Sequence, residues 1–88
     1  MTMIGYQVFH DMIGVDILQR VSIRTDYILL GQLLKKMNLI STGGEAKFFL
    51  AERRVKVNGE IEERRGKKIT PNDIVEIEGV GKVQVFRE

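Results

Sequence analysis

The apolar residues first fall into a clear rhythm at residues 28–40, where Leu29, Leu30, Leu33, Leu34 and Met37 recur at steps of three and four. That spacing places them on one stripe of a first helix of about two turns. Ser41-Thr42-Gly43-Gly44-Glu45 follows, and it reads as a helix start. The Thr42 hydroxyl can cap the new amides while Glu45, three residues on, reaches back to the amide of Thr42. The second helix is expected over about residues 43–51, with Ala46, Phe49 and Leu50 on the buried face and Lys47 pointing away from it. Phe48 lies off that stripe, but both Phe48 and Phe49 are read as core residues rather than as platforms for stacking bases. Two short helices joined by a tight turn make an angled pair.

After Arg54 the period changes from helical to two. Val55-Lys56-Val57 alternates and is followed by Asn58-Gly59, a pair that tolerates positive φ and favours a tight turn. A two-residue hairpin would set Val57 opposite Glu60 and Val55 opposite Glu62, so residues 60–66 are expected to run mostly as an exposed loop. The better mate for residues 55–57 is the alternating run 74–78, introduced by the turn Pro71-Asn72-Asp73. Gly79-Val80-Gly81 then turns the chain into the apolar alternation of residues 82–86. The expected fold is α+β, two short helices packed on a small antiparallel sheet. Residues 1–26 carry mixed patterns, with weak strand signals at 6–10 and 18–23. They are set apart as an N-terminal extension ahead of a domain at 27–88, and they fit a docked extension, a partly disordered lead or a later start at Met3 or Met12.

Composition narrows the chemistry. The 88 residues can hold one modest core, and they contain no cysteine and a single histidine, His10. Thiolate metal sites, disulfide scaffolds and cysteine nucleophiles fall away, and one histidine cannot assemble a catalytic pair or a zinc site alone. Asp11, Asp16 and Asp26 are too scattered to suggest a metal. No catalytic residue, metal or cofactor is expected. The apolar runs are too short to cross a membrane, and the start lacks a signal-peptide pattern, so a cytoplasmic location is the default expectation.

The formal net charge of +2 is uninformative until it is divided along the chain. Residues 47–68 hold eight basic side chains against four acids, a balance of +4, whereas residues 69–88 carry −2. A basic middle beside an acidic end gives a local field that a phosphate backbone can find. The candidate contacts are Lys47, Arg53, Arg54, Lys56, Arg64, Arg65, Gly66, Lys67 and Lys68. Arginine can fork onto phosphate or stack on a base, and Gly66 lets the chain bend and a strand approach. Gly43 and Gly44 leave the amide end of the second helix open to a phosphate, although easing a tight helical entry explains them more simply. A basic loop is also a common solubilising surface, and Glu60, Glu62 and Glu63 could partly neutralise this one.

The order helix, turn, helix, V-x-V-N-G, basic loop, P-x-D-x-V-x-I resembles the S4 RNA-binding domain, the so-called αL motif. That family is represented in a small-subunit ribosomal protein, pseudouridine synthases, a tyrosyl-tRNA synthetase appendage and a heat-shock ribosome-binding protein. The matching residues are Leu30 to Leu34, Ser41 to Leu50, Val55 to Gly59 and Asp73 to Ile77. Ser41 to Lys47 together with Glu63-Arg64-Arg65-Gly66-Lys67-Lys68 is similar to the stand-alone bacterial YaaA-like and YbcJ-like group. Gly43 and Gly44 stand where the general S4 pattern often carries a basic residue. The resemblance covers about residues 27–78 and implies a non-catalytic module that grips a structured RNA, ribosomal or tRNA-like, through phosphate and shape. A different class remains open beside it, a protein-interaction adaptor that docks a protein partner through the N-terminal extension and an apolar sheet edge.

Overall fold

A computed structural model describes residues 17–88. Nine elements follow in order: β1 (Ile17–Ile23), β2 (Ile28–Leu29), α1 (Leu30–Lys36), α2 (Gly43–Glu52), β3 (Val55–Val57), β4 (Glu60–Ile61), β5 (Lys68–Ile69), β6 (Ile74–Ile77) and β7 (Gly81–Arg87). Strands β1-β7-β6-β3-β4 form one sheet in that spatial order, and β2 with β5 forms a separate two-stranded ladder. The fold is α+β as expected, with two helices on a sheet. The sheet is mixed, however, because β1 runs parallel to β7 while the remaining pairs are antiparallel.

Alternation explains which face of the sheet is covered. Val21 and Ile23 of β1, Val55 and Val57 of β3, Val75 and Ile77 of β6, and Val83 and Val85 of β7 are all buried. They meet Leu30, Leu33 and Leu34 of α1 and Leu50 of α2 in one core. The intervening residues lie on the other face, where Lys56, Glu76 and Lys82 stand in register across three strands and Arg20 stacks over Phe86, 4.5 Å from its ring centroid. The strand expected at residues 18–23 is β1, an integral part of the sheet. The one expected at residues 6–10 falls outside the described residues.

The first helix has the expected two turns, and the apolar rhythm runs beyond both of its ends. Ile28 and Leu29 are extended in β2, and at the other end Asn38 takes a left-handed φ of 62° while the Leu39 amide donates to the Leu34 carbonyl at 3.0 Å. A left-handed residue just past the last turn is a helix stop. The second helix agrees with its capping signal. The Glu45 amide donates to Thr42 Oγ1 at 3.4 Å, and the Glu45 carboxylate accepts from the amides of Thr42, at 3.2 Å, and Ser41. Burial corrects one core assignment: Phe49 packs against the core, but Phe48 is 69% exposed because it lies on the opposite side of α2 from Ala46 and Leu50.

The Asn58-Gly59 turn also corrects an expectation. Both residues have positive φ, 52° and 90°, and they close a two-residue hairpin with Val57 opposite Glu60 and Lys56 opposite Ile61. Glu60 opposite Val57 is tolerated because β4 is a two-residue outer edge whose side chains stay exposed. The chain from residue 62 onward is loop until β5, which includes Lys68. The expected mate of β3 is found in β6, where Val55 pairs with Ile77 and Val57 with Val75.

Asn58 joins two turns through its side chain. Its Nδ2 donates to Asp73 Oδ1 at 2.9 Å, its Oδ1 accepts from the Ile74 amide at 2.9 Å, and Asp73 Oδ2 accepts from the amide and hydroxyl of Thr70 at 2.7 and 3.0 Å. Partial burial raises the Asp73 pKa, but the Asn58 and Thr70 hydrogen bonds outweigh it and hold the carboxyl below its usual range. Removing the carboxylate leaves three donors without their acceptor. Asp73→Ala should therefore cost about 1–3 kcal/mol, read as a lowered midpoint in urea unfolding with an unchanged slope.

Candidate nucleic-acid interface

The segment joining β4 to β5 is basic, and the backbone decides where it sits. A helix begins with amides that have no partner inside the helix. At the start of α1, the Leu30 amide donates to the Lys67 carbonyl at 2.8 Å and the Gly31 amide donates to the Arg65 carbonyl at 2.9 Å. Gln32 adds a side-chain cap, its Oε1 accepting from the Leu29 amide at 3.1 Å. The β2–β5 ladder continues the attachment by pairing Leu29 with Lys68 and Ile28 with Ile69, which is fully buried. The basic loop is thus bonded along its length to the entry of α1.

Contact is close enough to restrict residue 31. A Cβ on Gly31 would lie 3.3 Å from Arg65 Cβ and 3.5 Å from Ala46 Cβ. Glycine lets the loop and α2 approach α1 together. Arg65 closes the arrangement from the other side, its Nη1 donating to the Gly43 carbonyl in the first turn of α2 at 2.8 Å. Gly66 lies in the turn closed by the Lys67 amide on the Arg64 carbonyl at 3.2 Å, and the space around its missing side chain is open. Its φ is not left-handed, so approach rather than backbone bending is the advantage glycine brings here.

The candidate residues divide into two groups. Lys47 lies one turn along α2 from Gly43, whose carbonyl Arg65 reaches, while Arg64, Gly66, Lys67 and Lys68 belong to the loop and β5. No protein atom outside the helix lies within 4 Å of a Cβ built on Gly43, and Gly44 would meet only Thr42 Oγ1 at 3.9 Å. The entry to α2 is therefore bare, although the Glu45 carboxylate sits at it. Arg53, Arg54 and Lys56 lie at the opposite end of α2, about 15 Å away for ten residues of helix. Arg53 stacks on Phe49, 5.2 Å from the ring centroid, and donates to the Glu78 carbonyl at 3.4 Å. The Arg54 amide donates to Glu78 Oε1 at 3.1 Å, and Arg54, Lys56, Glu76 and Glu78 line one small depression. That second group is interleaved with acids, while the first group carries one firm internal pair.

That pair is Arg64 with Glu62. The guanidinium makes a two-pronged contact, Nε to Oε2 at 2.9 Å and Nη2 to Oε1 at 3.2 Å, and the Arg64 amide adds a third bond to Oε2 at 2.9 Å. The Glu62 side chain is only 12% exposed against 76% for Arg64. The Arg64 side-chain bonds, then its amide, lower the Glu62 pKa to about 2. Arg64 is thus oriented by, and paired with, the Glu62 carboxylate of its own loop. Two aromatic residues stand out beside the expected cations: Phe48, read from the sequence as core but exposed, and Tyr27, which the sequence reasoning missed and which has the Lys68 ammonium 4.8 Å from its ring centroid. The signal for Tyr27 is its place immediately before the short β2, whose partner strand carries Lys68.

A family model described as an S4 domain matches residues 21–86, from within β1 nearly to the end of β7. The chain belongs to the S4 domain family. It is also 52% identical over 65 residues, 74% of its own length and 92% of the relative's, to the probable ribosome maturation protein RlbA of Bacillus subtilis (strain 168). The family match starts within β1, six residues ahead of residue 27. Among the described residues no helix is long and apolar enough to cross a membrane.

The Glu62 pair gives the S4 loop a pH dependence of definite sign. The folded pKa lies below the ordinary 4.5, so its stabilisation is complete above that value and is lost as pH falls toward 2. Thermal midpoints measured between pH 5 and pH 2 should fall for the native chain and fall less steeply for Glu62→Gln, which cannot gain the proton. Identical acid profiles for the two proteins would show that this pair does not contribute.

Proposed function

We propose that this chain is a non-catalytic RNA-binding module that grips a structured RNA, ribosomal or ribosome-associated, through the face formed by the basic loop and the first turns of α2. The observation that carries this reading is the seating of the loop on α1. Cations held on a fixed backbone lose less conformational freedom when they meet phosphate than cations on a free loop do. Lys47, Arg64, Arg65, Lys67 and Lys68 are the principal contacts, with Gly43, Gly44 and Gly66 giving a strand room to approach. Arg53, Arg54 and Lys56 form a second, more nearly neutral group that lengthens the contact for a large RNA. Membership of the S4 domain family and the printed name of the Bacillus relative, a ribosome maturation protein, support the ribosomal direction. The same reading makes the protein cytoplasmic and without a catalytic role.

A second reading rests on a different observation. Phe48 is 69% exposed on the outer side of α2 and Ile61 is 58% exposed on the edge strand β4, surfaces that suit a protein partner. An adaptor of that kind would keep its partner after RNA is destroyed by nuclease.

The triple change Lys47→Ala, Lys67→Ala and Lys68→Ala tests the first reading while sparing Arg65, which is bonded to Gly43. Titration of a ribosomal RNA fragment over a range of salt should show weaker binding and a log-affinity slope shallower by about one unit for each phosphate contact removed. Circular dichroism should report the same fold. Equal affinity and equal slope in the folded variant would place the RNA elsewhere.

A further inference from the structure

Beside the basic loop lies an open depression of about 490 Å³ lined by Thr25, Asp26, Tyr27, Gln32 and Arg87. Tyr27 forms its aromatic wall and is 43% exposed. We propose that this depression receives the base of one unpaired nucleotide, with the Tyr27 ring as its stacking platform and Lys68 as the partner of the adjoining phosphate. The proposal rests on the RNA-binding reading above and adds to it a subsite on the other side of Lys68.

Three observations support it. First, the platform is held in place. Thr25 Oγ1 donates to the Tyr27 carbonyl at 2.7 Å, and the next two residues are paired with β5. A ring carried on a held backbone adds stacking area at a reduced ordering cost, and every base offers a π face to it. Second, the Lys68 ammonium lies 4.8 Å from the ring centroid, yet Lys68 does not line the depression. The ring is thereby associated with a cation that stands outside the depression, so a base in the depression and a phosphate on Lys68 can be served at once. Third, the remaining walls are polar in both senses. The Gln32 oxygen is used by the Leu29 amide, which leaves its amide nitrogen as a donor, and the ion pair of Arg87 with Asp26 adds guanidinium donors and carboxylate acceptors. Such groups match the edge of a nucleobase, whose donors and acceptors are unpaired only outside a duplex.

The test uses two RNA stems that differ only in one bulged adenosine, titrated with the native chain, with Tyr27→Ala and with Tyr27→Phe. Tyr27→Ala should weaken binding of the bulged stem by about 5-fold to 100-fold and change the fully paired stem by less than about twofold, because one stacked base is lost. Tyr27→Phe, which keeps the ring, should bind both stems like the native chain. In Tyr27→Trp the introduced indole is the only one in the chain, and its fluorescence should be quenched by the bulged stem alone. Equal losses for both stems, or no loss for either, would overturn the stacking site. The Lys47, Lys67 and Lys68 triple change separates this from failure of the wider reading, since it should weaken both stems together. If the triple change weakens both and Tyr27→Ala weakens neither, only the subsite is wrong; if the native chain binds neither stem, both proposals fall.

Discussion

The entry of α1 governs this structure. Its first amides are not satisfied by a side-chain cap alone but by the carbonyls of Arg65 and Lys67, residues more than thirty positions away in the chain. Those amides lie next to the buried leucines of the helix, where an unpaired donor would be costly. The hydrophobic core and the basic loop are therefore not independent. Burial of Leu30 and Leu33 fixes the helix, the helix presents two amides, and the amides fix the loop. Gly31 is the point at which this dependence becomes steric, because a Cβ there would press on Arg65 at 3.3 Å and touch Ala46 at 3.5 Å, so the loop or the helix would have to give.

Fixing the loop also settles which of its charges remain available. Net charge counts every cation equally, but the structure does not. Arg64 is held by Glu62, Arg65 uses part of its fork on the Gly43 carbonyl, and Arg53 leans on Phe49 and the Glu78 carbonyl. Arginine has five donors, so one bond to a carbonyl orients the group without exhausting it. Lysines 47, 67 and 68 carry no ion pair among the described residues and supply the less committed charge. Those three lysines lie in α2, in the loop and in β5, whereas Arg54 and Lys56 share a depression with Glu76 and Glu78.

Local signals in the sequence were sufficient where local chemistry decides the structure. The leucine spacing of α1, the Thr42 and Glu45 capping box and the alternation of residues 74–77 each depend on neighbours within a few positions. Non-local backbone pairing was not legible. The ladder β2–β5 involves two residues on each side, too few for a periodic pattern, and it draws Ile28 and Leu29 out of the helix that their apolar character suggests. The same limit hid the parallel pairing of β1 with β7 and the anchoring of Arg65 on α1. Asn38 was legible in principle, being a residue that accepts left-handed φ, but it sits inside an apolar rhythm that continues past it. Phe48 illustrates the opposite error, since composition assigns an aromatic residue to the core while the helical angle from Ala46 and Leu50 turns it outward.

In the proposed RNA-binding role, an S4 domain of this size needs more than charge to discriminate among RNAs. A rigid basic edge reads charge spacing and the shape of a backbone, which many folded RNAs share. Discrimination needs a contact that changes when a base is or is not paired, and it must be held in the same frame as the cations for the two energies to add. The β2–β5 ladder supplies that frame: β5 carries Lys68 and ends the basic loop, while the residue preceding β2 is Tyr27. The pairing that remained invisible in the sequence is thus the element that brings a cation and an aromatic ring within 5 Å of each other. Charge alone would attract RNA to this edge, whereas the joint placement of ring and cation would let the edge distinguish an unpaired nucleotide from a regular helix.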